Sequence, residues 1–390
     1  MLNSNAIIGV VGTGTMGAGI AQVAATHGHK VIVFDTKNDA LLRAKHSLEK
    51  IFNRLVEKEK FTRKQADEIL ARISWSDGLS TFESCDLIIE AIIENLEIKK
   101  GLFKQLESVT SKDCVLASNT SSLSIASIAS ALENKERLVG IHFFNPAPLM
   151  PLVEVVPALT TSKEVTAASR ALIDSWKKVT VLAKDTPGFI VNRVARPFYG
   201  EAIKMLEEGV ADETTIDWAM KELGGFRMGP FELTDLIGHD VNYTVTETVW
   251  TQLYFDPRYR PSITQKRLKE AGLYGKKSGR GFYDYSDGAE QIAPVKDEKL
   301  GKYILNRILV LLMNEAIDAL FLQIASAKDI ELAMTKGVNY PKGLLAWAND
   351  MGLETLLNEL NTLQDRFQDD RYRPSVLLKD LVEKNEKVKV

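Results

Sequence analysis

The chain has 390 residues, 45% apolar and 26% charged, with a formal net charge of -3, so it suits two or three domains and gives no field that would gather nucleic acid. Its two cysteines, Cys85 and Cys114, have no Cys or His neighbour at ligand spacing, which argues against a disulfide framework or a zinc site and fits a reducing cytoplasm. No apolar run approaches the roughly 20 residues of a spanning helix, and residues 1–12 carry no basic leader, so an unprocessed protein without a membrane partner is expected.

The first apolar run holds Ile7, Ile8, Val10 and Val11; a glycine-rich turn, a helical stretch over 16–25 and a second apolar run at 31–34 follow it, which makes a β-α-β unit. Further apolar runs at 87–89, 115–117 and 138–144 alternate with helical stretches and predict a parallel sheet covered on both faces. Gly12-Thr13-Gly14-Thr15-Met16-Gly17 is a GxGxxG pattern in the context the motif requires, after a strand and opening a helix. Glycines there allow close approach of a pyrophosphate to the helix N-terminus, with Gly12, Gly14, Met16 and Gly17 as the expected contacts. Asp35 closes the next strand, 23 residues after Gly12, where it can accept from ribose hydroxyls and repel an added phosphate, so NAD is expected over NADP.

The run at 138–144 and a second strand at 152–156 are joined by a proline-rich connection centred near Pro148. His142 and Glu154 each lie six residues from that centre, and a hairpin would make them cross-strand neighbours. A carboxylate beside a histidine fixes its tautomer and raises its basicity, as removal of a hydroxyl proton near neutral pH requires. Ser118-Asn119-Thr120-Ser121-Ser122 follows the run at 115–117, beyond the carboxyl end of a strand, where open α/β sheets place ligands.

After Asp185-Thr186-Pro187-Gly188 the pattern turns helical, and Asn192 stands at the start of that region. The region repeats itself. Asn192-Arg193, Glu201-Ala202-Ile203, Ala219-Met220 and Gly238 recur 114 positions later as Asn306-Arg307, Glu315-Ala316-Ile317, Ala333-Met334 and Gly352. Arg258-Tyr259-Arg260-Pro261-Ser262 returns 113 positions later from Arg371 to Ser375. A duplicated module with a linker over 284–299 follows, its two copies expected to pack on one another. The fold class is a Rossmann-type α/β nucleotide-binding domain, residues 1–184, followed by an all-α region of two repeated modules, residues 185–290 and 291–390.

At these residues the chain resembles the 3-hydroxyacyl-CoA dehydrogenase family, including its bacterial 3-hydroxybutyryl-CoA members, through segments that include Ser118 to Leu123, His142 to Pro146, Asp185 to Arg193 and Gly279 to Asp284. The resemblance implies reversible NAD-dependent oxidation of a (3S)-3-hydroxyacyl-CoA to the 3-oxoacyl thioester, of which acetoacetyl-CoA is the simple type. It serves fatty-acid β-oxidation, butanoate metabolism or aromatic-acid breakdown in that family. His142 is then the catalytic base and Glu154 its orienting partner. Ser121 and Asn192 contact the reacting substrate, Glu94 and Asn145 the cofactor, and Lys58 the coenzyme A phosphates. The shorter members carry one helical module and dimerise through it, so a pseudo-dimeric monomer or a homodimer is implied; the hydratase half of the larger fused proteins is missing. The alternatives are a dehydrogenase of a free hydroxy or sugar acid, of the gulonate or lambda-crystallin type, and a non-catalytic NAD-binding structural protein.

Overall fold

Four-residue runs of β-branched and aliphatic side chains have enough apolar surface to be buried on both faces, and a sheet built from them needs helices on either side. The computed structural model describes residues 2–290 and 292–390. They divide into two compact units, 1–186 and 187–390.

The first unit runs β1 (Ile8–Val11), α1 (Thr15–Thr26), β2 (Val31–Phe34), α2 (Asn38–Glu57), α3 (Arg63–Ala71), β3 (Ile73–Ser76), β4 (Leu87–Glu90), α4 (Leu96–Val109), β5 (Val115–Ser118), α5 (Ile125–Ala129), β6 (Leu138–Phe143), β7 (Leu152–Pro157), α6 (Lys163–Ser175) and β8 (Val179–Leu182). The strands form one sheet in the order β3-β2-β1-β4-β5-β6-β7-β8. The chain winds outward from β1 to β2 and β3, then crosses back to β4, so the topological switch lies between β1 and β4. β1 to β6 pair in parallel as expected, and β6 and β7 form the expected antiparallel hairpin, their proline-rich connection being too short for a crossover. Two strands lie outside the apolar runs of the sequence. Ile-Ser-Trp-Ser at β3 and Val-Thr-Val-Leu at the β8 edge have too few consecutive apolar residues to stand out.

The second unit is helical. It holds α7 (Val191–Val194), α8 (Arg196–Glu207), α9 (Glu213–Trp218), α10 (Pro230–Ile237), α11 (His239–Gln252) and α12 (Ile263–Glu270), then α13 (Glu298–Phe321), α14 (Ala327–Leu332), α15 (Leu344–Met351), α16 (Leu353–Phe367) and α17 (Val376–Glu383). The copies match element by element: α9, α10 and α11 begin 114 residues before α14, α15 and α16, and α12 begins 113 before α17. Even the π-helical turns correspond, Ala219–Leu223 with Ala333–Gly337. Where the second copy has the unbroken α13, the first has Pro187 and Gly188, and Phe189 at φ 46°, before α7 begins. Among the described residues no helix is long and apolar enough to cross a membrane.

The copies pack on one another through a reciprocal set of buried ions. Arg193 of the first copy donates from Nε to Glu315 of the second at 2.9 Å, and Tyr259 of the first donates to the same carboxylate. In mirror fashion Arg307 of the second donates to Glu201 of the first, whose carboxylate also accepts from Tyr372 of the second at 2.8 Å. Arg258 and Arg371, themselves a repeat pair, lie 3.5 Å from Glu315 and 3.6 Å from Glu201. Apolar packing joins them: Phe198 and Phe226 of the first copy meet Tyr340 of the second at ring distances of 5.7 and 5.0 Å, and Phe226 stacks on Trp347. Ending the chain near Lys299 would expose that aromatic face and leave buried charges without partners. The truncated protein is therefore expected to aggregate or dimerise, as light scattering would report; a soluble, fully active monomer would show that the second copy is not needed to cover the first.

Candidate active site

The site begins at the end of β1. Gly12 has φ +98°, and a Cβ on Gly17 would come 1.9 Å from the Gly12 carbonyl oxygen, so the turn into α1 closes only with glycine at these positions. Gly14 differs. A Cβ there would meet nothing within 4 Å, and no side chain caps α1. The fold's own packing does not demand a glycine at 14, whereas an anion approaching the uncapped helix end does. Asp35, just past β2, accepts at Oδ2 from the Thr13 backbone N–H at 2.9 Å and from Thr13 Oγ1 at 2.8 Å. It also accepts at Oδ1 from the Lys37 N–H at 3.0 Å. The carboxylate therefore braces the glycine loop.

Across the switch point, β4 ends in Glu90 and β5 in Ser118, a registered pair. Glu90 is wholly buried and accepts from the Ile92 N–H at 2.7 Å, from Ser118 Oγ at 2.7 Å and from Lys99 Nζ. Lys99 is equally buried and lies 3.3 Å from Glu94. Glu94 in turn gathers the serine-rich loop: its Oε1 accepts from Thr120 Oγ1 at 2.5 Å and from the Ser121 and Ser122 N–H groups at 3.0 and 3.2 Å. Ser121 Oγ is 3.4 Å away, so its hydroxyl is held only loosely. Burial opposes ionisation of Glu94, but Lys99 and the bonds from Thr120, Ser121 and Ser122 outweigh it and hold its carboxyl below the ordinary range.

β6 and β7 supply the histidine. His142 stands directly opposite Glu154 in the antiparallel register, and Nδ1 lies 2.7 Å from Glu154 Oε2. Both are buried, the glutamate completely. An ionised carboxylate can only accept, so Nδ1 carries the proton and the lone pair of the neutral ring is on Nε2. Asn119 Oδ1 accepts from the Phe143 N–H at 2.8 Å, fixing the serine loop to the strand that bears His142. The β6–β7 connection contains the cis peptide Asn145–Pro146. Lys178, which among the described residues has no carboxylate at ion-pair distance, donates to the Ala147 and Met150 carbonyls at 2.6 and 2.8 Å and pins that connection to the start of β8.

The first unit thus gathers the glycine turn, Asp35, Glu94 and Ser121 at the carboxyl ends of β1, β2, β4 and β5, with His142 and Glu154 near one end of their hairpin. Asn145 is exposed on the connection. Lys58 is the exposed C-cap of α2 and shares no hydrogen bond or ion pair with the others. Asn192 belongs to the second unit, on α7, where its Oδ1 lies 3.4 Å from Arg196 Nη2.

Residues 7–186 match the NAD binding domain of 3-hydroxyacyl-CoA dehydrogenase, and its C-terminal domain matches twice, over 188–285 and 303–389. The chain belongs to the 3-hydroxyacyl-CoA dehydrogenase family. It is 38% identical to the 3-hydroxyadipyl-CoA dehydrogenase of Escherichia coli K12, across 95% of this chain and 96% of that one. Human mitochondrial hydroxyacyl-coenzyme A dehydrogenase is 44% identical over 71% of this chain and 90% of its own length. The crystal structure of 3-hydroxybutyryl-CoA dehydrogenase from E. coli K12 superposes with a TM-score of 0.93 at 36% identity, covering 98% of this chain and all of that one.

The dehydrogenase uses NAD, and the open face of Gly14 at an uncapped helix end fits a dinucleotide pyrophosphate. Sequence reasoning missed the buried Glu90–Lys99 pair; a glutamate ending an apolar strand at 87–90 was its only sign. Because the folded pKa of Glu94 is depressed, its contribution to stability is present above the ordinary carboxylate value of about 4 and is lost as pH falls through the lower folded value. Glu94→Gln is accordingly expected to unfold earlier than the wild type near neutral pH and to converge with it in acid; equal melting temperatures at pH 7 would contradict this.

Proposed function

We propose that the dehydrogenase oxidises the C3 hydroxyl of a (3S)-3-hydroxyacyl-CoA, with His142 as the base. The observation that carries this reading is the 2.7 Å contact between His142 Nδ1 and the buried Glu154 carboxylate. Nε2 takes the proton from the C3 hydroxyl as the C3–H bond breaks and the C3–O bond becomes a carbonyl. NAD, held at the glycine turn of Gly12, Gly14 and Gly17, would supply the acceptor for the C3 hydride. Glu154 stabilises the imidazolium that forms, which a neutral partner in so dry a place could not do. The loosely held Ser121 hydroxyl would hold the C3 oxygen in line and support charge that develops on it. Asp35 would take a ribose of NAD, Glu94 and Asn145 would contact the cofactor, and Lys58 would face the coenzyme A phosphates. We read residues 187–390 as two copies of one module, the second serving as an internal counterpart of a partner subunit.

NADH formation from (3S)-3-hydroxybutyryl-CoA, measured beside the free 3-hydroxy acid, tests the reading. Turnover of the thioester and not of the acid is expected, and the reverse would replace this function with that of a free-acid dehydrogenase. His142→Gln should leave NAD binding intact while turnover falls roughly a hundredfold or more, the scale of losing a general base. Near-normal turnover would remove His142 from the mechanism.

A further inference from the structure

Where the two copies of the helical module meet, a pocket opens between them. Gly200, Glu201, Arg258 and Arg260 of the first copy line it, with Glu315 and Arg371 of the second. Glu201 is the repeat partner of Glu315 and Arg258 of Arg371, so both copies present the same kind of wall. The match breaks at one position. Asn314 also lines the pocket, and its repeat partner is Gly200.

In the second copy the Asn314 side chain has a defined task. It is 1% exposed, donates from Nδ2 to the Arg373 carbonyl at 3.0 Å and accepts at Oδ1 from the Ser375 N–H at 2.7 Å. The matching groups of the first copy are the Arg260 carbonyl and the Ser262 N–H, and Gly200 has no side chain to reach them. Neither group makes a hydrogen bond among the described residues. Gly200 lies inside α8, and a Cβ there would meet nothing within 4 Å, so neither space nor backbone calls for glycine.

The charges differ between the copies as well. Arg373 reaches Asp256 at 3.3 Å, whereas its repeat partner Arg260 lines the pocket and, among the described residues, has no carboxylate at ion-pair distance. The two carboxylates of the wall are already engaged, Glu201 by Arg307 and Tyr372 and Glu315 by Arg193 and Tyr259. The first copy thus leaves a cation, an N–H donor and a carbonyl acceptor around a space that the second copy fills with an amide. Water would serve the two backbone groups, but a free guanidinium with two more arginines beside it favours an anion.

We propose that this pocket binds inorganic phosphate and that the ion stabilises the junction of the two copies. The charged oxygens of the phosphate accept from the Arg260 guanidinium and the Ser262 N–H, while its P–OH donates to the Arg260 carbonyl. Arginine suits the task because its planar fork meets two phosphate oxygens at once. Sulfate has the same shape but no proton to donate near neutral pH, so the carbonyl selects phosphate. A ligand held by the folded state alone raises its stability by mass action.

Isothermal titration of the full chain with inorganic phosphate tests this, at constant ionic strength and with saturating NAD so that the glycine turn is occupied. The wild type should bind phosphate, and sulfate about tenfold more weakly, because the Arg260 carbonyl then lacks a donor. Gly200→Asn gives the first copy the side chain that the second already has; it should melt no lower than the wild type and lose both phosphate binding and the rise in melting temperature that phosphate brings. Arg260→Met, a change at an exposed residue, should raise the Kd about tenfold or more. Phosphate binding that survives both substitutions would place the ion elsewhere and overturn the proposal. Equal binding of phosphate and sulfate would mean an adventitious ion only, and a wild type that binds no phosphate would leave the pocket to water; either result overturns the proposal without any variant.

Discussion

A carboxylate with no contact with water must be met by donors, and Glu154 is met by the imidazole of His142. Much of the first unit is arranged so that this pair can exist. Glutamate in the middle of an apolar strand is costly unless a donor stands opposite, and only antiparallel pairing of β7 with β6 brings His142 into register with it. That pairing interrupts an otherwise parallel sheet. The connection it requires is held in place by Lys178, and the neighbouring strand end is tied to it through Asn119. The result is a histidine with one fixed tautomer.

The same rule governs the other side of the crevice. Glu90 and Lys99 neutralise one another in a dry place, and Lys99 also faces Glu94, which collects the serine-rich loop. The serine-rich loop therefore rests on paired charges, of which Glu90 and Lys99 are fully buried. Removing any one of them leaves its partner uncompensated, so their effects should not be additive.

In the helical unit, duplication is both symmetric and broken. Arg193 with Glu315 and Arg307 with Glu201 are one interaction used twice, each copy lending an arginine to the other's glutamate. Glu201 and Glu315 could be recognised as repeats from sequence alone, although nothing in the spacing said that each would reach across to the opposite copy. The symmetry fails at Arg196, where the first copy keeps a polar cluster that the second has filled with Val310, Met313 and Leu360. A duplicated structural part needs only to pack.

The amino-acid sequence by itself determined the β-α-β start, the glycine turn, the helical repeat and the six-residue symmetry of His142 and Glu154 about Pro148, because each is a local pattern of period, turn residue or spacing. It left β3 and β8 unmarked, since their short runs carry too little hydrophobicity to stand apart from loops. Tertiary structure decided which buried charges meet. Lys99 reaches Glu90 and Glu94 together, Asp35 turns back onto Thr13, and Arg193 finds Glu315 across 122 residues of chain. Such pairs depend on two distant backbones arriving at the same place with matching donors and acceptors, and no periodicity along one strand or helix encodes that meeting.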